Sequence, residues 1–462
     1  MIPNIPLDDT IVAISSPYGM GGVAIIRCSG KQALWILKKI FRTKNKTPFL
    51  WDQLTFRKMY YGLIVDSEQV IDEVMVCAFQ SPHSYTGEDV VEIYCHGSIY
   101  VQQKILSLCI QHGARLATAG EFTIRACMNG KLTLSDAEAL GDLIHAETEA
   151  AHRLAIDQLR GGYKTLLQQL RSQLLNVSSL LELELDFSEE DIEFASRHEL
   201  IQLLTATIQT IEELTKSFQM GNVIKNGVPV VILGKPNAGK STLLNALLNE
   251  EKAIVSEIPG TTRDLIEDIL IIQGVSFRII DTAGIREARD EIEKIGITRT
   301  KQSVKKAMIA LLIIDISEYQ ETEIIENEKM IDSIHPNITL IKVFNKIDKI
   351  PHLPSSEQND CVFISAKEKK NIEKLKQKLF DVLIQKGYQP HQPMVSNLRH
   401  YYELQHAAKY LQNALQLIKN QSDKELIAED LRFAILHLSN ITGTITSEEI
   451  LANIFSKFCI GK

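Results

Sequence analysis

The chain has 462 residues, 45% hydrophobic and 23% charged, a balance ordinary for a globular protein and a length that predicts two to four domains. No apolar run reaches the roughly 18 residues that span a bilayer, and the opening MIPNIPLDDTIVAIS lacks the basic and apolar regions of a secretory signal. The net charge of −8 argues against wholesale coating by nucleic acid, which needs clustered Lys and Arg.

Residues 1–120 hold 11 basic and 10 acidic residues and mix short β-like runs with Gly and Pro. Strands are predicted at IVAIS (11–15), GVAIIRC (22–28), EVMVCAF (73–79) and VVEIYCHG (90–97). KQALWILKKIF and YVQQKILSLCIQHG read as amphipathic helices, the second stopping at Gly113. Together these predict an α+β domain over 1–120.

From 121 the texture changes. LSDAEALGDLIHAETEAAHRLAIDQL and YKTLLQQLRSQLLNVSSLLELEL carry apolar residues three and four apart, which predicts two or three long helices ending near Met220. Residues 121–219 hold 8 basic and 17 acidic residues, so a polyanion the size of a tRNA should avoid them; a local basic patch elsewhere remains open. The helical pattern breaks around Gly221 to Gly227. VPVVILGKPNAGKSTLLNALL then reads as strand, loop and helix, and strands alternate with helices to about 385 through SFRIIDTAG, ALLIIDIS, TLIKVFNKID and CVFISAK. That alternation predicts a mainly parallel sheet flanked by helices. After about 395 the chain is helical again, through LRHYYELQHAAKYLQNALQLI and KELIAEDLRFAILHLSNITG. The expected layout is therefore a multidomain α/β and α protein: 1–120 α+β, 121–220 helical, 221–385 an inserted P-loop domain, and 386–462 a second helical part. Seven scattered cysteines form no CxxC pair and predict a reducing, cytoplasmic setting.

GKPNAGKS (234–241) fits GxxxxGK[ST] between a strand and a helix, the context in which backbone N–H groups wrap phosphates at a helix N-terminus. Predicted contacts there are Asn237, Ala238, Gly239, Lys240, Ser241 and Thr242, with Lys240 on the β- and γ-phosphates and Ser241 on Mg²⁺. DTAG supplies Asp281 to the Mg²⁺ shell, then Thr282 and Ala283, and the Gly284 N–H to the γ-phosphate. NKID supplies Asn345, Lys346, Ile347 and Asp348; the Asp348 carboxylate accepts from both N–H groups on guanine's Watson–Crick edge, which adenine cannot offer. SAK (Ser365, Ala366, Lys367) supports the same base through backbone N–H. The four motifs lie in order at successive strand ends, where such sheets bind ligands, and predict GTP. AIVSEIPGTTRD (253–264) reads as a switch loop, with Ser256, Glu257, Ile258, Pro259, Gly260, Thr261 and Thr262 near the nucleotide and Thr262 as the second Mg²⁺ ligand.

The residue after DTAG is Ile285, where Ras-like GTPases hold a water-orienting glutamine. Its side chain has no donor or acceptor. Three replacements are visible. Asn237 and switch-loop carbonyls can hold a monovalent cation; Arg263, Arg286 or Arg289 can supply charge; Glu287, Asp290, Glu291 or Glu293 can act on water.

SPYGMGGVAIIRCSG, SYTGEDVVEIYCHGS, AGEFTIRACMNGKL, DFSEEDIEF, the PGTTRD segment and the terminal FCIGK resemble the tRNA modification GTPase MnmE (TrmE) family from end to end, with small departures such as HGS for HGG. The resemblance implies a homodimer through the N-terminal domains, with K⁺ held by Asn237, Ser256, Ile258 and Thr261, and Glu293 as the group that orients the catalytic water. It implies a flavoprotein partner, MnmG (GidA), in a heterotetramer or larger complex. It further implies modification of carbon 5 of the wobble uridine of certain tRNAs, with a one-carbon unit from 5-formyl- or methylene-tetrahydrofolate. The matching folate positions are Arg27, Glu92, Lys131 and Lys462. Cys459 reads either as a functional thiol near the folate or as a small buried hydrophobe. An RNA-binding or ribosome-assembly GTPase is the alternative; it predicts an appended basic domain, and 386–462 does not look like one.

Overall fold

The computed structural model describes residues 8–45, 47, 51–186, 196–249, 268–280, 301–318, 320–350, 361–390, 392–443 and 461. The helices among them are α1 (Ala33–Ile40), α2 (Ile99–Gln111), α3 (Glu121–Met128), α4 (Leu134–Ile144), α5 (Glu149–Leu159), α6 (Gly162–Asp186), α7 (Arg197–Asn226), α8 (Lys240–Asn249), α9 (Glu321–Ile334), α10 (Ile372–Gln385), α11 (Leu398–Lys419) and α12 (Lys424–Thr442). Two compact units emerge. One combines Met1–Ile144, Lys164–Gln202 and Lys409–Lys462; the other combines His145–Tyr163 and Leu203–Ala408.

In the first unit seven strands form one sheet: β1 (Ile11–Ile14), β2 (Gly21–Ser29), β3 (Phe41–Arg42), β4 (Met59–Asp66), β5 (Gln69–Phe79), β6 (Val90–Gly97) and β7 (Arg115–Leu116), in the order β3-β4-β5-β6-β2-β1-β7. All neighbours run antiparallel except β1 and β7. The four predicted strands correspond to β1, β2, β5 and β6. β4 gives no sequence signal because Gly62 to Val65 are buried in succession, without alternation. α1 and α2 bury Ile36, Leu37, Ile40, Ile105 and Leu108 with Ile26, Ile64, Val76 and Ile93 of the sheet. Gly443, at φ +86°, closes α12 where the backbone of Leu134 leaves no room for a side chain.

The second unit carries β8 (Val228–Leu233), β9 (Asp268–Ile272), β10 (Val275–Ile280), β11 (Ile309–Asp315), β12 (Thr339–Asn345) and β13 (Cys361–Phe363) in the order β13-β12-β11-β8-β10-β9. Every pair is parallel except β9 with β10. Both faces are covered, which is why these strands read as unbroken Val, Ile and Leu. Val230, Ile232, Phe277, Leu311 and Ile313 join Leu243, Leu247, Leu375 and Leu379 on one side, while Val231, Ala310 and Leu312 join Val304 and Ile331 on the other.

The helical stretch differs from expectation in two places. The long run predicted from Leu134 breaks before Thr148, whose hydroxyl accepts from the Ala151 N–H at 3.2 Å and caps α5. α7 runs past Gly221 to Asn226, with Gly221 lying against the Val395 carbonyl. Ala150 and Leu154 of α5 and Met220 and Ile224 of α7 pack into the core of the six-stranded sheet. Amphipathic spacing reveals that a helix has an apolar face; it does not say which sheet that face covers.

Candidate functional site

The loop between β8 and α8 is shaped by three residues of left-handed or extended-positive backbone: Gly234 (φ +142°), Asn237 (φ +62°) and Gly239 (φ +98°). Gly234 lies against the Ile313 carbonyl and Gly239 against the Asn345 amide, neither leaving space for a β-carbon. The loop's bend is thus fixed by β11, the neighbour of β8 in the sheet, and by β12 beyond it. Lys240 turns inward and donates to the Gly234 and Lys235 carbonyls, both at 2.7 Å. Burial lowers its pKa. Asn237 is exposed on the rim, and Ser241 and Thr242 are exposed on the first turn of α8. This arrangement gives a cluster of backbone N–H groups at a helix start with a positive side chain inside it, as a phosphate chain requires.

The base side is built from the ends of β12 and β13. Asn345 is 2% exposed. Its amide donates to the Ala238 carbonyl at 2.9 Å and its carbonyl accepts from the Ala366 N–H at 3.0 Å. One side chain therefore fastens the NKID turn to the phosphate loop and to SAK. Asp348 accepts from the Ser365 hydroxyl at 2.6 Å, a bond that lowers its pKa and keeps it an ionised acceptor. Lys346, at φ +66°, pairs with Asp315 at 2.5 Å, and Ile347 and Lys367 flank the same turn. A cavity of ≈ 100 Å³ lies between the loop, from Gly234 to Ala238, and the β11–α9 side, where Leu312, Asp315 and Glu323 line it.

In the first unit, Arg27 of β2 and Glu92 of β6 are direct cross-strand partners. Arg27 donates to Glu92 Oε1 from Nε at 2.9 Å and from Nη2 at 2.8 Å, and its guanidinium lies over the rings of Tyr85 (5.2 Å) and Phe122 (5.7 Å). Tyr94 donates to the other carboxylate oxygen at 2.6 Å; burial and that bond push its phenol up to about 12. Lys131 is exposed beside the Gly87 turn, two residues from Tyr85. Gly461 sits against Ile14 and Ser15, with the Ser15 hydroxyl donating to its carbonyl at 2.8 Å. Because Ala13 pairs with Arg27 and Arg27 with Glu92, the tail reaches the strand beside this pair.

Residues 10–131 match a family model described as GTP-binding protein TrmE N-terminus, and residues 134–459 match one described as MnmE helical domain. The chain is 45% identical over 457 residues to the tRNA modification GTPase MnmE of Cytophaga hutchinsonii, covering 98% of each chain. It is 46% identical over 463 residues to that of Parabacteroides distasonis, covering 98% of this chain and 100% of the other. This chain belongs to the tRNA modification GTPase MnmE family. Like its MnmE relatives it is a GTP hydrolase of tRNA modification.

Several positions expected in an MnmE site lie outside the described residues: Ser256 to Thr262, Asp281 to Gly284, Glu293, Cys459 and Lys462. The described ones gather in two clusters, Asn237 to Thr242 with Asn345 to Asp348 and Ser365 to Lys367, and Arg27 with Glu92 and the turn beside Lys131. Sequence reasoning missed Tyr94, although it lies two residues after Glu92 and so on the same strand face. It also missed Tyr85 and Phe122, which reach Arg27 only through the tertiary fold. The remaining described cysteines, Cys28, Cys77, Cys95, Cys109, Cys127 and Cys361, are free thiols. No described helix is long and apolar enough to cross a membrane.

Proposed function

We propose that this MnmE-family GTPase hydrolyses GTP in a K⁺-dependent reaction and acts with the flavoprotein MnmG (GidA) on carbon 5 of the wobble uridine of certain tRNAs, in the cytoplasm. The one-carbon unit comes from a tetrahydrofolate derivative. The observation that carries the GTP side is the Asn345 side chain, which ties the phosphate loop to the guanine-reading turn. In this reading 221–385 is an inserted Ras-like G domain between helical parts 121–220 and 386–462, and 1–120 is the folate-binding and dimerisation domain.

Ser241 and Thr262 hold Mg²⁺; Asn237, with Ser256, Ile258 and Thr261, holds K⁺, which supplies positive charge where an arginine finger acts in other GTPases. Lys240 leaves the Gly234 and Lys235 carbonyls to meet the β- and γ-phosphates. Asp348, already ionised, accepts from guanine. Glu293 orients the attacking water in place of the glutamine that Ile285 displaces. Arg27, Glu92, Lys131 and Lys462 bind the reduced folate: the carboxylate suits the amino and ring N–H edge of a pterin, the cations its glutamyl carboxylates. Gly461 beside β1 supports a place for Lys462 in that set.

The test is GTP turnover in K⁺ and in Na⁺ at equal ionic strength, with the wild type and Glu293→Ala. Turnover should be much faster in K⁺, and Glu293→Ala should lower kcat by about 10²-fold or more with GTP affinity retained. Equal rates in the two salts remove the cation from the mechanism. A variant that keeps its kcat removes Glu293.

A further inference from the structure

The segment from Lys31 to Lys58 stands apart in charge. It holds eight basic residues (Lys31, Lys38, Lys39, Arg42, Lys44, Lys46, Arg57, Lys58) and one acid, Asp52, while the rest of the chain holds 42 basic and 57 acidic residues. Both tryptophans of the chain, Trp35 and Trp51, fall in the same 28 residues.

The fold brings the described residues of this segment to one edge of the first unit. α1 turns Ala33, Ile36, Leu37 and Ile40 into the core, so Trp35, Lys38 and Lys39 face outward. β3 follows directly and is the edge strand of the sheet, and β4 beside it carries Met59, Tyr60 and Tyr61. Trp35 is 47% exposed. Lys39 lies over its ring at 5.0 Å, Lys38 over Trp51 at 5.7 Å, Lys44 over Tyr61 at 5.8 Å and Lys58 over Tyr60 at 5.6 Å. Among the described residues Lys38, Lys39, Lys44, Arg57 and Lys58 pair with no carboxylate; within the segment Lys31 does, with Asp8. Trp35 and Tyr61 are exposed while Trp51 and Tyr60 are half-buried against the core; unneutralised cations beside exposed rings are the surface chemistry of phosphate-backbone binding with base stacking.

We propose that α1, β3 and the start of β4 form an RNA-docking surface. Lys38, Lys39, Lys44, Arg57 and Lys58 meet backbone phosphates, and Trp35 stacks an unpaired base. The family's action on tRNA supplies an RNA of that kind, and the acidic remainder of the chain turns it toward this edge. The surface is separate from the Arg27–Glu92 pair, which lies on β2 and β6, so its role does not depend on the folate reading.

The experiment measures binding of the full chain to an unmodified tRNA transcript by fluorescence anisotropy across a salt series. Lys38→Gln/Lys39→Gln should weaken binding about tenfold and make the salt dependence shallower by about two phosphate contacts. Trp35→Ala should weaken it by a similar factor, with little effect on a fully paired RNA duplex. In a Trp51→Phe background the emission of Trp35 should be quenched when tRNA binds. The rate of GTP hydrolysis without RNA and the melting temperature should stay at wild-type values; if the first pair lowers the melting temperature, Lys44→Gln/Lys58→Gln replaces it. Unchanged tRNA affinity and salt slope in both lysine pairs overturns the proposal. So does a loss of binding to heparin or anionic vesicles with tRNA binding intact.

Discussion

Asn345 illustrates how one buried side chain can join distant stretches of the chain. Its two hydrogen bonds hold elements that come from distant parts of the chain. Asn345→Ala leaves the Ala238 carbonyl and the Ala366 N–H without that partner, which costs on the order of 1–3 kcal/mol. Nucleotide-free protein should therefore melt earlier, and GTP affinity should fall with it. Asp348→Asn separates the two effects. The amide keeps a partner for Ser365 but presents an N–H₂ donor toward the base, so GTP binding should weaken by about 10²-fold or more while a xanthine nucleotide, with a carbonyl at that edge, gains. Competition binding of the two nucleotides reads this directly; an unaltered preference would separate Asp348 from the base. At this scale the motifs were legible in advance, because each is a short run whose chemistry depends on adjacent residues. The inward turn of Lys240 onto the loop's own carbonyls was not, since it depends on backbone dihedrals.

Among the elements, α3 carries the most buried charge. Arg125 is fully buried and reaches Asp9 at 2.5 Å, Glu88 at 3.2 Å and Glu121 at 3.1 Å, while Arg115 binds Asp9 and Glu121 from the other side. Burial raises the Asp9 and Glu121 pKa values, but the arginine hydrogen bonds outweigh it and hold both below the ordinary carboxylate range. Because the folded values are depressed, their contribution is complete above the unfolded carboxylate pKa of about 4 and is lost as pH falls through the lower folded values. The first unit should keep its stability down to about pH 4 and lose it below. Arg125→Met, which among the described residues leaves Asp9 and Glu121 with Arg115 as their one cation and Glu88 with none, should cost about 3–5 kcal/mol in urea unfolding at pH 7, and that deficit should shrink as the acids protonate in more acidic solution. A deficit independent of pH would mean that lost packing, not charge, is responsible. The i, i+4 pair Glu121 and Arg125 was present in EFTIRACMNG as a helix-face signal; that the arginine would be wholly enclosed was not, because Asp9 and Glu88 arrive from far along the chain. α5 was opaque for the same reason. Its spacing announced a helix, yet the hydrogen bond from the Ala150 N–H to the Gly274 carbonyl at 2.9 Å, which docks it on the β9–β10 hairpin, leaves no mark in either segment.

For the whole molecule, the two units interleave along the chain. The first unit takes residues from three stretches, the last being Lys409–Lys462, and the second unit sits between them in sequence. A chain ending at Ala408 retains every residue of the second unit and lacks α12. Limited proteolysis of that truncation should leave the β8–β13 sheet protected while cleavage opens α4, which in the full chain meets Gly443 at Leu134. Equal protection of both would mean the first unit closes without its last stretch. The hydrogen bond between Ser15 and Gly461 carries this into the timing of synthesis. β1 leaves the ribosome long before its neighbour at Gly461. At about 5–20 residues per second, the 446 residues that separate them take roughly 20–90 s to make. Throughout that interval the far end of β1 waits without its final partner, so the newborn first unit must rely on its sheet and α1–α2 layer to stay folded until the tail arrives.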